Sequence, residues 1–422
     1  MIELQPLRSP VIKTITIPGS KSYTNRALLL GALTQDAVVI KNPLFSDDTR
    51  AMIDSLHKLG IRTEQNETSI TVVGNFQDVE NKDVTLDCHL SGTTIRFLTA
   101  LACIVPGTKI LTGQEGLCKR PIGPLVDGLR LLGAKIEYVG KEGFPPIKIT
   151  SSSLRQGTTH LTGDMSSQYF SAIMMVAPVV GDITIDVIGH QISKPYIDMT
   201  IDTIKKFGAD VINYHYTSYH IPDCQGYHKD SYTVEGDFSS AGYFLAVAAL
   251  TQSTLTLDNL NPHSKQADAK IMGILESMGN TITLHERSIT IAGKAIAPIE
   301  VNMEDFPDQA QTLAVLCAFA KGKSILKGVK SLRIKETERV QALTTELAKM
   351  GIKTETTEDS ITIFGGDPQP ATIDTYGDHR MAMSFAVAGA KLEGMKINHP
   401  EVVEKTFPNF WDELKQIGVG IC

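Results

Sequence analysis

Cysteine, tryptophan, long apolar runs and an excess of positive charge are all scarce in this chain of 422 residues. Its six cysteines contain no CxxC pair, which argues against a disulfide framework and against a zinc site. The longest apolar run, from Ala172 to Val180, is too short to span a bilayer. The amino terminus lacks the basic and then apolar layout of a signal peptide. These absences predict a soluble, reduced, cytoplasmic protein without a bound metal.

The charge balance excludes one large class of function. The chain has 40 Lys and Arg residues against 47 Asp and Glu residues, which gives a net charge of −7. Affinity for a nucleic-acid backbone needs a basic excess, so a general nucleic-acid binder is disfavoured. A compact basic site for a small anion remains compatible with this total. The 42% hydrophobic content is typical of globular proteins, and the length allows two to four domains.

The chain repeats a capped, apolar helix signal six times. Each copy opens with small or polar residues, which cap helices through a side-chain oxygen, and continues into an Ala-, Leu- or Met-rich stretch typical of a buried helix. Successive starts are 69 to 75 residues apart. The six starts are Ser20, Ser91, Ser166, Ser239, Asp308 and Asp378.

A second helix signal recurs between these copies and ends each time in a glycine, which favours a left-handed helix cap. The glycines are Gly60, Gly133, Gly208, Gly279, Gly351 and Gly418. Short alternating strands follow several of them, most clearly Ser69–Val73, Ser288–Ile291 and Ser360–Phe364. The pattern predicts six α/β units of about 70 residues, each strand, helix, strand, helix, strand, strand. We expect two domains of three units, with a crossing near residues 232–235; a tandem solenoid is the alternative.

Cations occupy several predicted helix starts, where the partial positive charge of the helix disfavours them. Lys21 and Arg26 lie in the first turns of the first helix, and His379 and Arg380 begin the last buried helix. Arg120 directly precedes a proline suited to a first helical position. Taken together, they indicate an anionic ligand shared by helix ends and cations, although each one alone is compatible with a solvated side chain.

The segment RIKETERV combines both kinds of charge. If it is helical, Lys335 and Arg339 share one face, and Glu336 is placed beside them as a proton carrier. A solvated, self-neutralised helix face explains the same pattern equally well. Asp308 follows a proline and is either a helix cap or a functional carboxylate. A further group is equally ambiguous between capping and ligand binding: Gly92, Ser166, Ser167, Gln168 and Ser193.

Nine motifs in order make the chain resemble the EPSP synthases (3-phosphoshikimate 1-carboxyvinyltransferases) of the enolpyruvyl transferase family over its full length. They are PGSKSYTNRALLLGAL from Pro18, SGTTIRF from Ser91, KRPIGPLVDGLR from Lys119, MSSQYF from Met165, SKPYIDMT from Ser193, DFPDQA from Asp305, RIKETERV from Arg333, GDHRMAM from Gly377 and EKTFPNFW from Glu404.

The resemblance implies an α/β (α+β) fold of two domains, each built from three βαβαββ units in an inverse α/β barrel-like arrangement, hinged around a central cleft. It also implies that the first strand joins the C-terminal half. We therefore expect one domain over residues 1–19 plus 235–422 and the other over 20–234.

The implied reaction transfers the carboxyvinyl group of phosphoenolpyruvate to the 5-hydroxyl of 3-phosphoshikimate and releases phosphate through a tetrahedral intermediate. Resemblance places ten residues on 3-phosphoshikimate: Lys21, Ser22, Arg26, Ser166, Ser167, Gln168, Ser193, Tyr196, Asp308 and Lys335. It places eight on phosphoenolpyruvate: Lys21, Gly92, Arg120, Gln168, Arg339, His379, Arg380 and Lys405.

Proton transfer is expected of Asp308 and Glu336, with Lys21 sharing it. The sequence leaves open which group serves which step. No cofactor or metal is implied, the expected partners are the two small-molecule substrates alone, without nucleic acid or membrane, and we expect a monomer.

Two positions depart from the family pattern. Leu90 and Ser331 stand where the family usually has asparagine. Serine can replace part of the hydrogen bonding of asparagine, whereas leucine cannot. Local contacts, and sensitivity to the family inhibitor glyphosate, therefore stay open.

Two other functions are compatible with parts of the sequence. The sister enzyme that uses UDP-N-acetylglucosamine usually has a cysteine five residues before the Arg-Pro pair and Lys-Asn in its first motif. This chain has Glu115 at the first position and Ser22 after Lys21, while Cys118 lies two residues before Arg120. A non-catalytic repeat scaffold is the other alternative, and it predicts no turnover.

Overall fold

A computed structural model describes residues 1–74, 76–151 and 153–422. The chain divides into two compact units. Unit 1 consists of Met1–Pro18 and Glu235–Cys422, and unit 2 consists of Gly19–Val234. The described part of the chain contains no helix with the length and apolarity that a bilayer crossing requires.

Strands and helices alternate along the described residues. The strands are β1 (Ile2–Gln5), β2 (Ile12–Thr16), β3 (Val38–Lys41), β4 (Arg62–Gln65), β5 (Ser69–Val73), β6 (Val84–Asp87), β7 (Lys109–Thr112), β8 (Ile136–Tyr138), β9 (Ile147–Ile149), β10 (Gly157–Thr162), β11 (Ile183–Ile188), β12 (Ile212–Tyr214), β13 (Ser218–Ile221), β14 (Ser231–Thr233), β15 (Thr254–Asp258), β16 (Thr281–Leu284), β17 (Ser288–Ala292), β18 (Glu300–Asn302), β19 (Gly322–Lys327), β20 (Lys353–Thr356), β21 (Ser360–Gly365), β22 (Thr372–Ile373), β23 (Met395–Ile397) and β24 (Gly420–Ile421). The helices are α1 (Lys21–Leu33), α2 (Asp47–Leu59), α3 (Gly92–Ala102), α4 (Glu115–Cys118), α5 (Gly123–Leu131), α6 (Ser167–Val180), α7 (Lys194–Lys206), α8 (Phe238–Thr251), α9 (Ile271–Ser277), α10 (Ala310–Phe319), α11 (Arg339–Lys349), α12 (His379–Gly389) and α13 (Phe410–Ile417).

All six sheets formed by the described strands have the same topology. In β10-β11-β13-β12, for example, β10 and β11 are parallel and the other neighbours are antiparallel. A parallel pair needs a crossover connection, and a buried helix supplies it: α6 connects β10 to β11. The repeating α/β unit predicted from the sequence is therefore confirmed, and the solenoid alternative is not needed.

Three strands complete sheets far from their own position in the sequence. In unit 2, β14 pairs in parallel with β3. In unit 1, β2 pairs in parallel with β15, and β1 lies between β23 and β24. Because β1 and β2 belong to sheets of residues beyond 234, the start of the chain is part of unit 1.

Each unit has an inner layer of three helices that are buried almost all round. In unit 2, α1, α3 and α6 pack against one another, and in unit 1, α8, α10 and α12 do the same. Their Ala- and Leu-rich sequences fit this position, because a helix that is apolar on all sides needs neighbours on all sides.

The outer helices have one exposed face, and they end as the sequence predicts. All six expected capping glycines have positive φ, between 78° and 112°. This left-handed conformation reverses the chain after each outer helix and starts the strand that follows.

An asparagine anchors the chain near each junction between the units. In unit 2, Asn42 (φ 55°) donates from its amide to the Val234 carbonyl oxygen over 2.8 Å. In unit 1, Asn259 (φ 67°) donates to the Ile17 carbonyl oxygen, also over 2.8 Å. The backbone oxygen of Asn42 leaves no room for a Cβ at Gly19, and that of Asn259 leaves none at Gly236. The same combination of an asparagine amide contact and a closely packed glycine thus occurs in each unit.

Two sequence predictions about local structure are wrong. Lys335 and Arg339 do not share a helical face, because Glu338 caps α11 and Arg339 is its first residue. Lys335 and Glu336 lie in the link after a 3-10 turn, Lys330–Ile334. Arg120 does not precede a helix start, because α4 ends at Cys118 and α5 begins at Gly123.

Candidate active site

Unit 1 gathers charged side chains at the N-terminal ends of its helices. Asp308 lies in a 3-10 turn, Pro307–Gln309, that leads into α10. Asp378 caps α12, and Arg339 begins α11. The start of α12, which was predicted to carry the cations His379 and Arg380, therefore also carries a carboxylate. We call the following six residues the arginine–carboxylate cluster: Asp308, Glu336, Arg339, Asp378, Arg380 and Lys405.

Arg339 is the centre of this cluster, with a side chain only 1% exposed. Its Nε lies 2.6 Å from Asp378 Oδ2, and its Nη2 lies 3.2 Å from Asp378 Oδ1. Nη2 also donates to Glu336 Oε2 over 2.8 Å, and Nη1 lies 3.3 Å from Asp308 Oδ1. One planar guanidinium thus joins three carboxylates, which a lysine ammonium could not do with this geometry.

Arg380 and Lys405 complete the cluster from either side. Arg380 Nη2 donates to Asp308 Oδ2 over 2.8 Å, and its Nη1 lies 3.1 Å from the Asp308 backbone oxygen. Lys405 Nζ donates to Glu336 Oε1 over 2.8 Å. Both carboxylates expected to transfer protons, Asp308 and Glu336, are therefore each held by two cations.

These contacts set the protonation state of Asp308. Burial alone would raise its pKa, but Arg380, Lys335 and Arg339 outweigh that effect and hold the pKa of Asp308 well below its usual range. Conversely, Asp378, Glu336 and Asp308 raise the pKa of Arg339 despite its burial. At neutral pH Asp308 is therefore ionised and Arg339 is charged.

His379 and Lys335 lie close to the same cluster. The His379 side chain is 2% exposed, and its Nδ1 lies 3.6 Å from Asp378 Oδ1. Lys335 is half-buried and acts on Asp308 electrostatically. The structure thus brings together all seven expected residues of unit 1: Asp308, Lys335, Glu336, Arg339, His379, Arg380 and Lys405.

Unit 2 presents its own set of polar residues at helix starts. Lys21 begins α1, and its Nζ pairs with Asp48 Oδ2 on α2 over 3.0 Å. The Asp48 side chain is only 4% exposed, so this acidic partner is nearly fully buried. Sequence reasoning did not single out Asp48.

Arg26 is a buried cation held by neutral oxygens. Its Nε donates to Thr200 Oγ1 over 2.9 Å, and its Nη1 donates to the Ser22 carbonyl oxygen over 3.0 Å. Nη2 lies 3.3 Å from the Tyr196 carbonyl oxygen. Burial lowers the pKa of Arg26 to about 10. A guanidinium in this environment favours an anion nearby, since among the described residues no carboxylate forms an ion pair with it.

Arg120 lies directly over Gly92, the first residue of α3. A Cβ atom at position 92 would be 2.5 Å from Arg120 Nη1 and 2.7 Å from its Cζ. The sequence predicted that glycine at this position lets backbone N–H groups approach a ligand; in the structure the space beside Gly92 is filled by the Arg120 guanidinium. Leu90, one of the two departures, lies half-buried just before this helix start.

Gln168 is held between two neighbours in α3. Its Nε2 donates to Thr93 Oγ1 over 3.0 Å, and its Oε1 accepts from Arg96 Nη1 over 2.6 Å. Arg96 also donates to the Pro121 carbonyl oxygen over 3.3 Å and is 5% exposed. The amide orientation of Gln168 is therefore fixed by Arg96.

The remaining residues of this set lie at the starts of α6 and α7. Ser166 caps α6 through Oγ, which accepts from the Gln168 backbone, and Ser167 is buried beside it. Ser193 precedes α7 with φ 54°, and Tyr196 is half-buried in its first turn. Of the ten expected residues of unit 2, Arg120 lies between α4 and α5, and the other nine lie at or near helix starts: Lys21, Ser22, Arg26, Gly92, Ser166, Ser167, Gln168, Ser193 and Tyr196.

Sequence reasoning missed the residues that position these groups. Asp378 was recognised only as a cap, yet it also binds Arg339 with both oxygens. Arg96 carried a detectable signal, because it is a charged residue inside the apolar helix segment SGTTIRFLTALA. Asp48 carried none, because acidic residues in a first helical turn are common. Across the residues that the structure describes, no group of three or more His, Cys, Asp or Glu side chains is placed to hold a metal ion.

The repeated α/β units and the cations at their helix starts define a class: a two-unit α/β protein with sites suited to small anions. The chain matches the family model described as EPSP synthase (3-phosphoshikimate 1-carboxyvinyltransferase) over residues 7–414. The chain belongs to the EPSP synthase family.

Individual relatives agree with this assignment. The chain is 39% identical to the 3-phosphoshikimate 1-carboxyvinyltransferase of Sulfurovum sp. (strain NBC37-1), an alignment that covers 99% of both chains. It is 40% identical to the enzyme of the same name from Shewanella oneidensis, with 97% of this chain and 98% of that one covered. The fold matches a structure of EPSP synthase from Acinetobacter baumannii at a TM-score of 0.82 and 24% identity, covering 100% of this chain and 99% of that one.

Proposed function

We propose that the protein transfers the carboxyvinyl group of phosphoenolpyruvate to the 5-hydroxyl of 3-phosphoshikimate and releases phosphate. The proposal is supported by membership of the EPSP synthase family and by relatives whose names state this activity over nearly the whole chain. The observation that carries it is the contact of Arg339 with both Asp308 and Glu336. It places two potential proton carriers on one cation that can also bind an anionic substrate.

Each unit supplies one part of the chemistry. In unit 2, the hydroxyls and cations at the starts of α1, α6 and α7 suit a phosphorylated, polyhydroxylated substrate. They are Lys21, Ser22, Arg26, Ser166, Ser167, Gln168, Ser193 and Tyr196, and Asp308 and Lys335 of unit 1 bind the same substrate. Phosphoenolpyruvate carries a carboxylate and a phosphate, and it suits the cations Lys21, Arg120, Arg339, Arg380 and Lys405 together with Gly92, Gln168 and His379.

The reaction needs three proton movements. The attacking hydroxyl loses a proton as its oxygen bonds to C2 of phosphoenolpyruvate, and the methylene carbon C3 gains one. The tetrahedral intermediate then loses phosphate and a proton from the new methyl group, which restores the double bond. Asp308 and Glu336 carry these protons, with Lys21 taking part.

Binding of phosphoenolpyruvate would activate the carboxylates. In the unliganded cluster, Arg380 and Arg339 hold the pKa of Asp308 low, which makes it a weak base. When the same guanidiniums engage an anionic substrate, the negative charge that they face increases, and the proton affinity of Asp308 rises. The site would thus become basic only when it is occupied.

The decisive experiment is a phosphate-release assay with two acceptors. The purified chain receives phosphoenolpyruvate together with either shikimate 3-phosphate or UDP-N-acetylglucosamine. We expect phosphate only with the shikimate ester. Release with the nucleotide sugar alone would assign the chain to the sister reaction, and release with neither would favour a non-catalytic scaffold.

We further propose a role in the shikimate pathway and aromatic amino-acid biosynthesis, which follows from this reaction. A cytoplasmic location and a monomeric state remain predictions. Size-exclusion chromatography with light scattering tests the second of them directly.

A further inference from the structure

Next to the arginine–carboxylate cluster lies a buried carboxylic acid, Asp268, to which the proposed reaction gives no role. It belongs to a 3-10 turn, Ala267–Lys270, in unit 1 and is 3% exposed. Burying a carboxyl group costs free energy unless its surroundings compensate. Ser239 on α8 donates from Oγ to Asp268 Oδ2 over 2.5 Å.

Ser239 connects this acid to the cluster. Its Oγ lies 3.5 Å from Arg380 Nη2, the same nitrogen that donates to Asp308 Oδ2 over 2.8 Å. A serine hydroxyl has one proton to donate and two lone pairs to accept with. While Asp268 is ionised and takes that proton, the lone pairs of Ser239 face the guanidinium of Arg380.

Protonation of Asp268 reverses this arrangement. A neutral carboxyl group can donate its own proton to Ser239 Oγ, which frees the serine proton to turn toward Arg380. Two donors would then face each other, and the guanidinium would lose an acceptor. The hydrogen-bond direction of Ser239 therefore depends on the charge of Asp268.

The surroundings of Asp268 place its titration in the range where enzymes work. Burial, Asp308 and Asp237 raise the pKa of Asp268, Arg380 and the bond from Ser239 lower it, and the net result is a pKa of about 7. These groups come from α8, α12 and the turn before α10, which surround the acid. On α9, which also packs against the turn, the acidic residue Glu276 is exposed.

We infer that Asp268 is a positioning residue for the proposed reaction. It acts through Ser239 to hold Arg380 in hydrogen-bond contact with Asp308. This role rests on the proposed function, since Arg380 is the group expected to bind phosphoenolpyruvate. Asp268 itself touches neither substrate in this scheme. The ionised form of Asp268 keeps the Arg380 guanidinium oriented for substrate binding, and the neutral form leaves that guanidinium less firmly held.

The kinetic test uses Asp268→Asn, Asp268→Ala and Ser239→Ala, with Glu276→Gln as the matched control on α9. Asp268→Asn keeps an oxygen for Ser239 but cannot ionise. We expect kcat/KM for phosphoenolpyruvate to fall as pH drops through about 7 in the unaltered enzyme and in the control. In Asp268→Asn this inflection should disappear, and an inflection that persists would overturn the inference.

The alanine variants test whether the two residues act as one unit. Each single change should raise KM for phosphoenolpyruvate about tenfold, because a hydrogen bond to a charged group is lost, with kcat changing less. The double variant should be no worse than either single one. Additive effects, or a KM within twofold of the unaltered enzyme, would contradict a shared positioning role.

A measurement without substrate separates this inference from the proposed function. Because the folded-state pKa of Asp268 lies above its unfolded value of about 4, the folded chain binds the extra proton between these pH values. This contribution is present at low pH and is lost as pH rises to about 7. The Tm of Asp268→Asn relative to the unaltered chain should therefore increase from pH 5 to pH 8. A pH-independent difference refutes the inference and leaves the proposed function standing, whereas failure of phosphate release by the unaltered chain refutes the proposed function, on which the inference rests.

Discussion

Arg120 and Gly92 are in such close contact that only a glycine leaves space for the guanidinium. The contact lies at the start of α3, where backbone N–H groups and the cation can face the same anion. The position of Arg120, a cation proposed to bind phosphoenolpyruvate, thus depends on the absence of a side chain at residue 92.

Gly92→Ala should displace Arg120 without unfolding unit 2. The added methyl group takes space now filled by the guanidinium, which must move away from its anion. Loss of one charge-assisted contact costs about 1.5–3 kcal/mol, so we expect KM for phosphoenolpyruvate to rise about ten- to a hundredfold. Steady-state kinetics measure this change. Gly140→Ala is the control, because a Cβ there meets only Pro146 Cδ at 4.0 Å; equal KM values in both variants would disprove the steric argument.

Asp308→Asn and Glu336→Gln should slow the chemistry more than they weaken binding. Both changes keep the shape of the side chain and remove its capacity to exchange a proton. General acid–base catalysis contributes on the order of 10²–10⁴-fold, which sets the expected loss in single-turnover rate. Rapid-quench measurements at saturating substrate report this rate directly. Near-normal rates in both variants would remove the two carboxylates from the proton-transfer steps.

Arg339→Lys should destabilise unit 1 as well as abolish activity. A lysine cannot bind Asp378 with two nitrogens and still contact Glu336 and Asp308. Breaking a buried ion pair costs about 3–5 kcal/mol, and we expect a loss in this range from urea unfolding. Arg333→Lys is the matched control, since its pair with Glu338 is partly exposed and should contribute about 1 kcal/mol or less. Similar losses in the two variants would show that the cluster is not a special stabilising element.

Because of Lys109, the stability of unit 2 should change with pH in the alkaline range. Lys109 is buried on β7 and donates to the carbonyl oxygens of Val105, Gly107 and Ser151. Burial lowers the pKa of Lys109 to about 8, so above this value the folded chain releases a proton that the unfolded chain keeps up to pH about 10. Stability should rise over that window relative to Lys109→Met, by about 1–3 kcal/mol.

Thermal unfolding of both chains from pH 7 to pH 10 measures this difference. The comparison cancels the titration of groups that the two chains share. A difference in Tm that stays constant over the window would mean that Lys109 remains charged throughout.

Much of the fold could be predicted because it repeats. Because one pattern occurs in six copies, a signal that is weak in a single copy is supported by the other five. The observed caps, glycines and strands lie where this pattern predicts them. The link before α11 could not be predicted in the same way. RIKETERV has helical spacing, yet the side chain of Glu338 accepts from the Gln341 backbone over 2.6 Å and starts the helix late. This local cap and the tertiary contact of Glu336 with Lys405 over 2.8 Å both favour a non-helical link, and helical spacing alone indicates neither of them.

The candidate site was predictable in its cations and not in their partners. Lys21 and Arg380 stand out because a positive charge is unfavourable at a helix start, and Arg339 stands out through its four-residue spacing from Lys335. Their acidic partners lie at positions where an acidic residue is common, so Asp378 was interpreted only as a helix cap and Asp48 was not singled out. Only the fold brings residues such as Arg339 and Asp378 within 2.6 Å of each other.

The place of β1 between β23 and β24 has a consequence for synthesis. Leu4, fully buried in the folded chain, pairs with Met395 on one side and Ile421 on the other. At 5–20 residues per second, the ribosome needs roughly 20–80 s between making the first strand and making its first partner. The sheets of unit 2 use only residues from 19 to 234 and can form in that interval. β1 must thus wait for its partners while nearly all the other strands are made.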